Sequence, residues 1–121
     1  MAGRDLEERL LAYSLRIVRL CKKLMEKPGV GRVVANQLLK AGTSVGANYQ
    51  EGQAGQSRAD FVAKTSIALK EARETHYWLK LVAGADLVRL ELLQNLIDET
   101  DQIKKILGAI VLRSRKKIAS K

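Results

Sequence analysis

This sequence has little of what covalent chemistry uses. Its 121 residues include one cysteine, Cys21, one histidine, His76, and one proline, Pro28. A lone cysteine excludes a disulfide within the chain, and a lone imidazole leaves Cys21 with His76 as the sole pairing of nucleophile and base. Neither residue falls on the apolar stripes described below, so packing or solvent-facing roles are expected for both. A di-iron centre in a helical core takes a Glu-x-x-His motif from each of two helices; here Arg73 stands three residues before His76 and there is no second histidine. Gly29 and Gly31 are not followed by the Gly-Lys-Ser/Thr of a phosphate-binding loop. Glu51, Glu71 and Glu74 remain as candidate acids, and without a metal or partner histidine their plainer role is in structural ion pairs. The expectation is a protein that is not an enzyme and takes no cofactor or metal.

Aromatic residues are equally scarce, at 4% of the chain. Tyr13, Tyr49, Phe61, Tyr77 and Trp78 make no alternating basic and aromatic surface, so stacking of single-stranded bases is not expected. No apolar run approaches the ~18 residues needed to cross a bilayer. Arg4, Asp5, Glu7, Glu8 and Arg9 interrupt the amino-terminal stretch where a signal sequence would be apolar. A cytoplasmic address with no membrane association is expected.

What the chain has in excess is positive charge. Twenty-two Lys and Arg against 13 Asp and Glu give a formal charge of +9 and a pI near 9.9. That balance favours polyanionic partners such as nucleic acid, beside the plain reading that it serves solubility. Arg9, Arg16 and Lys23 recur at intervals of seven and so form one row on a helix. Arg113, Arg115, Lys116 and Lys117 form a second cluster near the carboxyl terminus. These are the candidate nucleic-acid-binding residues; their contacts with phosphate would be sequence-independent and would weaken steeply with salt. The alternative for the row is that its stems cover the edge of the core while the charges stay in water.

Apolar side chains alternate at spacings of four and three. Leu6, Leu10, Tyr13, Ile17, Leu20 and Leu24 make a first stripe, the pattern of a helix packed along one face. Pro28 and the glycines beside it end that helix. Val34, Leu38, Ala41, Val45 and Asn48 predict a second helix over about residues 32–51; Gly42 and Gly46 inside it imply a neighbour packed against bare backbone, since each glycine costs about 1 kcal/mol in a helix interior. Asn48 on that stripe needs hydrogen-bond partners, with Ser44 and Glu51 one turn away on either side. After the break at residues 52–57, Ser57 with Asp60 has the form of an amino-terminal cap. Phe61, Thr65, Ala68, Ala72, Thr75, Leu79 and Val82 then predict a third helix about 40 Å long. Beyond Asp86 a wider face carries Leu92, Leu93, Leu96, Ile97, Ile103, Ile106, Leu107, Ile110 and Val111, so the fourth helix buries against more than one neighbour. Short loops make neighbours antiparallel. Residues 1–121 therefore read as a single all-α domain, an antiparallel up-down-up-down four-helix bundle, whose basic tail from Arg113 to Lys121 is expected to fray. Tyr77, Trp78 and Leu81 lie off the third stripe and are the candidate oligomer interface, unless a splayed bundle covers them itself.

The runs SVGANYQE at residues 44–51 and KEARETHYWL at residues 70–79 resemble the four-helix bundle protein family that includes proteins encoded in intervening sequences of large-subunit ribosomal RNA. The specific match spans roughly residues 36–82, with Ser44, Asn48, Glu51, Glu71 and Glu74 as the structural motif. Two positions depart from the pattern: Lys40, where many members have arginine, which matters because lysine lacks the bidentate fork, and Gly52, where alanine is common. The resemblance implies a homo-oligomer, in related proteins a pentamer, and does not imply an enzyme. Relatives of the accessory variability protein of diversity-generating retroelements bind a reverse transcriptase and nucleic acid through a basic surface. The resulting expectation is an oligomeric bundle that binds structured RNA or an RNA-associated protein. The alternative is a homo-oligomeric scaffold for protein interaction without nucleic-acid binding.

Overall fold

A computed structural model describes residues 3–120. Four helices account for nearly all of them: α1 Gly3–Leu24, α2 Val30–Gln53, α3 Arg58–Gly84 and α4 Leu90–Ala119. The stops are those the residue types require. Gly29 takes φ 124° between α1 and α2, a conformation that side chains with a Cβ resist. Ser57 Oγ accepts the Asp60 N–H at 3.1 Å, capping α3 as its sequence predicts. Asp86, at φ 58°, turns the chain after α3 in the left-handed region that aspartate tolerates better than most residues.

Cross-helix contacts fix the topology as antiparallel throughout. Ile17 lies against Gly42 and Leu10 against Gly46, joining α1 to α2. Lys64 meets Glu51, joining α2 to α3. His76 meets Lys104, and Arg115 meets Ser66, joining α3 to α4. Between α1 and α2, and between α3 and α4, residue numbers rise on one helix as they fall on the next, and α2 reverses into α3 through the short turn before Arg58, so the bundle is up-down-up-down, as expected.

The core is a single cluster drawn from all four helices, and Gly42 and Gly46 have the expected neighbour. A Cβ on Gly42 would lie 2.6 Å from Ile17 Cγ2, and one on Gly46 would lie 3.3 Å from Leu10 Cβ. The small residues thus let α1 and α2 approach with backbone nearly exposed to side chain.

Several stripe assignments change. Cys21, not Leu20, continues the α1 stripe; Cys21 is buried and Leu20 only partly so. The α2 stripe ends on Tyr49 rather than Asn48, which is half-buried beside it. On α4, Leu92 is 71% exposed instead of buried, because it stands at the open end of the bundle, before the helix runs between its neighbours. The basic segment expected to fray continues α4 in helical form through Lys117 to Ala119; Lys121 lies outside the described residues.

Candidate polyanion-binding surface

The basic row on α1 does not survive intact as a free surface. Arg9 Nη2 and Nε donate to the two carboxylate oxygens of Glu99 on α4, at 2.6 and 2.8 Å. Nη2 also reaches Gln102 Oε1 at 3.0 Å. The hydrogen bond to Glu99 raises the Arg9 pKa above its ordinary value, against the opposing pull of burial. Arg9 therefore closes the bundle rather than facing a ligand. Arg16 donates to the neutral Asn95 Oδ1 at 2.8 Å, keeping its charge uncompensated. Lys23 is exposed and has no carboxylate partner among the described residues.

The reason lies in how acids are distributed. The α4 acids Glu91, Asp98, Glu99 and Asp101 all fall in its first half, alongside α1. Beyond Asp101 the chain has no acid to its end. Asp101 itself pairs with Lys105 at 3.1 Å and Lys104 at 3.6 Å, and the Lys105 contact chiefly holds its carboxyl below the usual range. What remains is Arg113, Arg115, Lys116 and Lys117, all exposed, with Arg115 Nη2 resting 3.4 Å from the neutral Ser66 Oγ. No described carboxylate pairs with any of the four.

A second uncompensated group surrounds Lys23, adding Arg19, Lys22 and Lys27, which the heptad row alone does not pick out although the signal for them is in the sequence. Between Glu8 and Glu51 the only acid is Glu26. Arg19, Lys22, Lys23 and Lys27 fall in this interval and are exposed at the carboxyl end of α1 and in its turn. The α1 and α4 clusters sit at opposite ends of the bundle. Asn95, opposite Arg16, and Arg115 are separated by about 30 Å at the usual helical rise.

The central motif builds structure. Ser44 Oγ donates to the Lys40 carbonyl at 2.6 Å, and Asn48 Nδ2 donates to the Ser44 carbonyl at 2.8 Å. Asn48 is thus satisfied within its own helix by a backbone oxygen, with Glu51 directed elsewhere. Glu51 crosses to Lys64 at 3.1 Å, and Gly52 is buried where a Cβ would lie 3.0 Å from Lys64 Cβ. Glycine at this position gives α2 and α3 their close approach near the turn. Glu74 accepts the Trp78 indole N–H at 3.2 Å, while the Glu71 carbonyl accepts the Thr75 hydroxyl at 2.7 Å.

Tyr77 is 56% exposed, and its ring stands edge-on to Trp78 with centroids 5.1 Å apart. Trp78 and Leu81 are partly buried against the core, so the bundle covers part of the candidate interface itself. Cys21 is not poised for chemistry: it lies in the core with Sγ 3.5 Å from the Ala35 carbonyl, and burial pushes its thiol up to about 11. His76 Nδ1 accepts from Lys104 Nζ at 2.8 Å. Burial, then the charges of Lys104 and Lys80, hold this imidazole below its usual pKa, with Asp101 pulling the other way. No three His, Cys, Asp or Glu side chains among the described residues are grouped to hold a metal. No described helix is long and apolar enough to cross a membrane.

Residues 7–109 match the family model described as 23S rRNA-intervening sequence protein. The chain belongs to that family. It is also similar to a crystal structure of a protein of unknown function from the S23 ribosomal protein family of Bacteroides thetaiotaomicron. The two are 39% identical with a TM-score of 0.80, over 87% of this chain and 96% of the other. Among curated proteins none matches significantly. This intervening-sequence protein thus shares its helical frame with a solved relative over most of its length.

Proposed function

We propose that this protein is a cytoplasmic, non-enzymatic, oligomeric bundle that binds structured RNA, or a ribonucleoprotein, through phosphate contacts. The observation that carries the reading is the acid-free end of α4, where Arg113, Arg115, Lys116 and Lys117 stand exposed without a carboxylate partner among the described residues. Arg16 and Lys23 contribute from α1, together with Arg19, Lys22 and Lys27. Arg9 is withdrawn from the binding set because Glu99 neutralises it. The separation of the two clusters suits a ligand with phosphates spaced along its length, and a rigid duplex segment of RNA offers such spacing. Base-specific readout is not part of the proposal, since contacts of this type recognise backbone.

The test is a salt titration of binding to a structured ribosomal RNA fragment, with light scattering on the same sample. Affinity should fall linearly on a log–log plot, with each phosphate contact contributing about 0.7–0.9 to the slope. Reversing Lys116 and Lys117 to Glu should flatten that slope and weaken binding to unrelated RNA hairpins equally. Salt-insensitive binding, or none at low salt, overturns the reading.

A second reading, a homo-oligomeric scaffold that docks a protein partner without nucleic acid, is favoured by Tyr77, an exposed aromatic next to Trp78 and Leu81. Self-association, with a pentamer as the family-based expectation, belongs to both readings. Replacing Tyr77 by Lys should lower the subunit number in light scattering if that face joins copies. An unchanged assembly removes this face from the interface.

A further inference from the structure

At the end of the bundle where α1 turns into α2 and α3 into α4, the two turns leave between them a cleft of about 560 Å³. This volume lies within the range of small-molecule sites, roughly 300–1,000 Å³. Its floor is apolar: Leu24, Leu87 and Val88 are buried or half-buried, whereas Val30 and Leu92 remain 67% and 71% exposed. Its rim is cationic, formed by Lys23, Lys27 and Arg89, with Glu26 the one acid lining it. Arg89 is occupied by Glu91, Nε to Oε2 at 3.0 Å. Lys23 and Lys27 have no carboxylate partner among the described residues.

These features together narrow the ligand class. An RNA phosphate would use the lysines but leave the leucine and valine floor wet. A purely apolar molecule would cover the floor and strand two ammonium groups beside it. A cationic amphiphile would meet like charge at the rim. An anion with an apolar body satisfies both parts, as small-molecule sites do when a few polar groups orient a ligand over an apolar wall. We propose that this cleft binds a medium-chain carboxylate, its chain lying on the Val30 and Leu92 side of the floor and its head group paired with Lys23 and Lys27. The inference shares Lys23 and Lys27 with the RNA-binding surface but not the apolar floor, so decanoate binding and its anion-over-cation preference are read without RNA and fail or hold independently of it.

Decanoate, kept below its micelle concentration, is the probe, titrated into the full chain by calorimetry and followed by hydrogen–deuterium exchange. Saturation at one decanoate per chain is expected, with exchange slowed in residues 23–31 and 87–92. The cation decyltrimethylammonium, with an alkyl chain of similar length, should bind at least about tenfold more weakly. The double variant Lys23→Glu/Lys27→Glu, in which both positions are exposed, should lose decanoate affinity by a similar factor while its melting temperature stays unchanged. Leu92→Ser provides an independent arm and should weaken decanoate without altering the preference for anion over cation. The proposal is overturned if decanoate does not saturate, or if anion and cation bind equally. Protection elsewhere on the chain also overturns it, as does concentration-dependent protection of the cleft before ligand is added, which would mean that a second copy fills it.

Discussion

The Arg9 guanidinium holds the Glu99 carboxylate in a two-pronged contact across the junction of the first and last helices, with N···O distances of 2.6 and 2.8 Å. Their side chains are only 27% and 20% exposed, so each would lack full hydration if the other were removed. One turn further along α1, Tyr13 and the Thr100 hydroxyl meet at 2.6 Å in the core. Thr100 also donates its only hydroxyl hydrogen to the Leu96 carbonyl at 2.8 Å, so Tyr13 is the donor in that pair. These polar contacts join α1 to α4 beside the apolar core that both helices line.

Arg9→Met should therefore destabilise the fold by about 1–3 kcal/mol, because Glu99 is left partly buried without its donor. Adding Glu99→Met should recover much of that loss, which urea unfolding of the single and double variants will measure. Equal losses that simply add would show the contact to be solvent-screened and of little weight.

Two Gly→Ala substitutions should have opposite signs. Gly42→Ala places a methyl 2.6 Å from Ile17 Cγ2 and 2.9 Å from Cγ1, in a core where the β-branched Ile17 has little freedom to turn. The steric cost, about 1–3 kcal/mol, outweighs the gain of about 1 kcal/mol in helix propensity. Gly108 has nothing within 4 Å of its would-be Cβ, so Gly108→Ala should stabilise by about 0.5–1 kcal/mol. Thermal melts of the two variants check the pair; a stabilised Gly42→Ala would mean that α1 and α2 can part without loss.

The helices were legible in the sequence because each buries one face, and that face leaves a mark every three or four residues. The small errors share a cause. A straight helix drifts by ~20° per heptad against a strict 3.5-residue repeat, so over four turns the strict stripe lags by about 40°, enough to tip the choice between two adjacent positions. It fell on Leu20 instead of Cys21, and on Asn48 instead of Tyr49. The role of Arg9 was not legible at all, since its partner lies 90 residues away and a row of cations reads the same whether or not acids face it. Leu92 shows the converse: hydrophobicity marked it for the core, but its place at the bundle's end leaves it in water.

Alkaline pH should expose the buried position of Cys21. Its thiol is raised from an ordinary 9.0 to about 11, so the folded state keeps a proton that the unfolded chain releases. The stabilisation is fully present below pH 9 and is lost as pH rises towards 11, on the order of 2–3 kcal/mol. Tyr13, whose phenol burial also holds above its ordinary 10.0, extends the loss beyond pH 10 with the same sign. Urea unfolding of the protein and of Cys21→Ala between pH 8 and 11 should show the stability gap between them changing by about that amount. A gap independent of pH would contradict the assignment.

Thr65 is the one buried side-chain oxygen among the described residues without a hydrogen-bond partner, although it is fully enclosed between α3 and its neighbours. Thr65→Val keeps the branched shape and removes the unpaired hydroxyl, so a gain of about 1 kcal/mol is expected. Differential scanning calorimetry will read it as a higher melting temperature; a loss would reveal a hydroxyl contact made in solution.

The ordering of the helices has a consequence for synthesis. Every tightly packed junction, α1 with α2, α2 with α3 and α3 with α4, joins neighbours along the chain, so each hairpin has its partner as soon as it leaves the ribosome. Arg9 and Tyr13, in contrast, wait for Glu99 and Thr100. Closing the ring is the step reserved for the last helix, and nascent chains halted before residue 99 should hold three paired helices with the α1 edge still open.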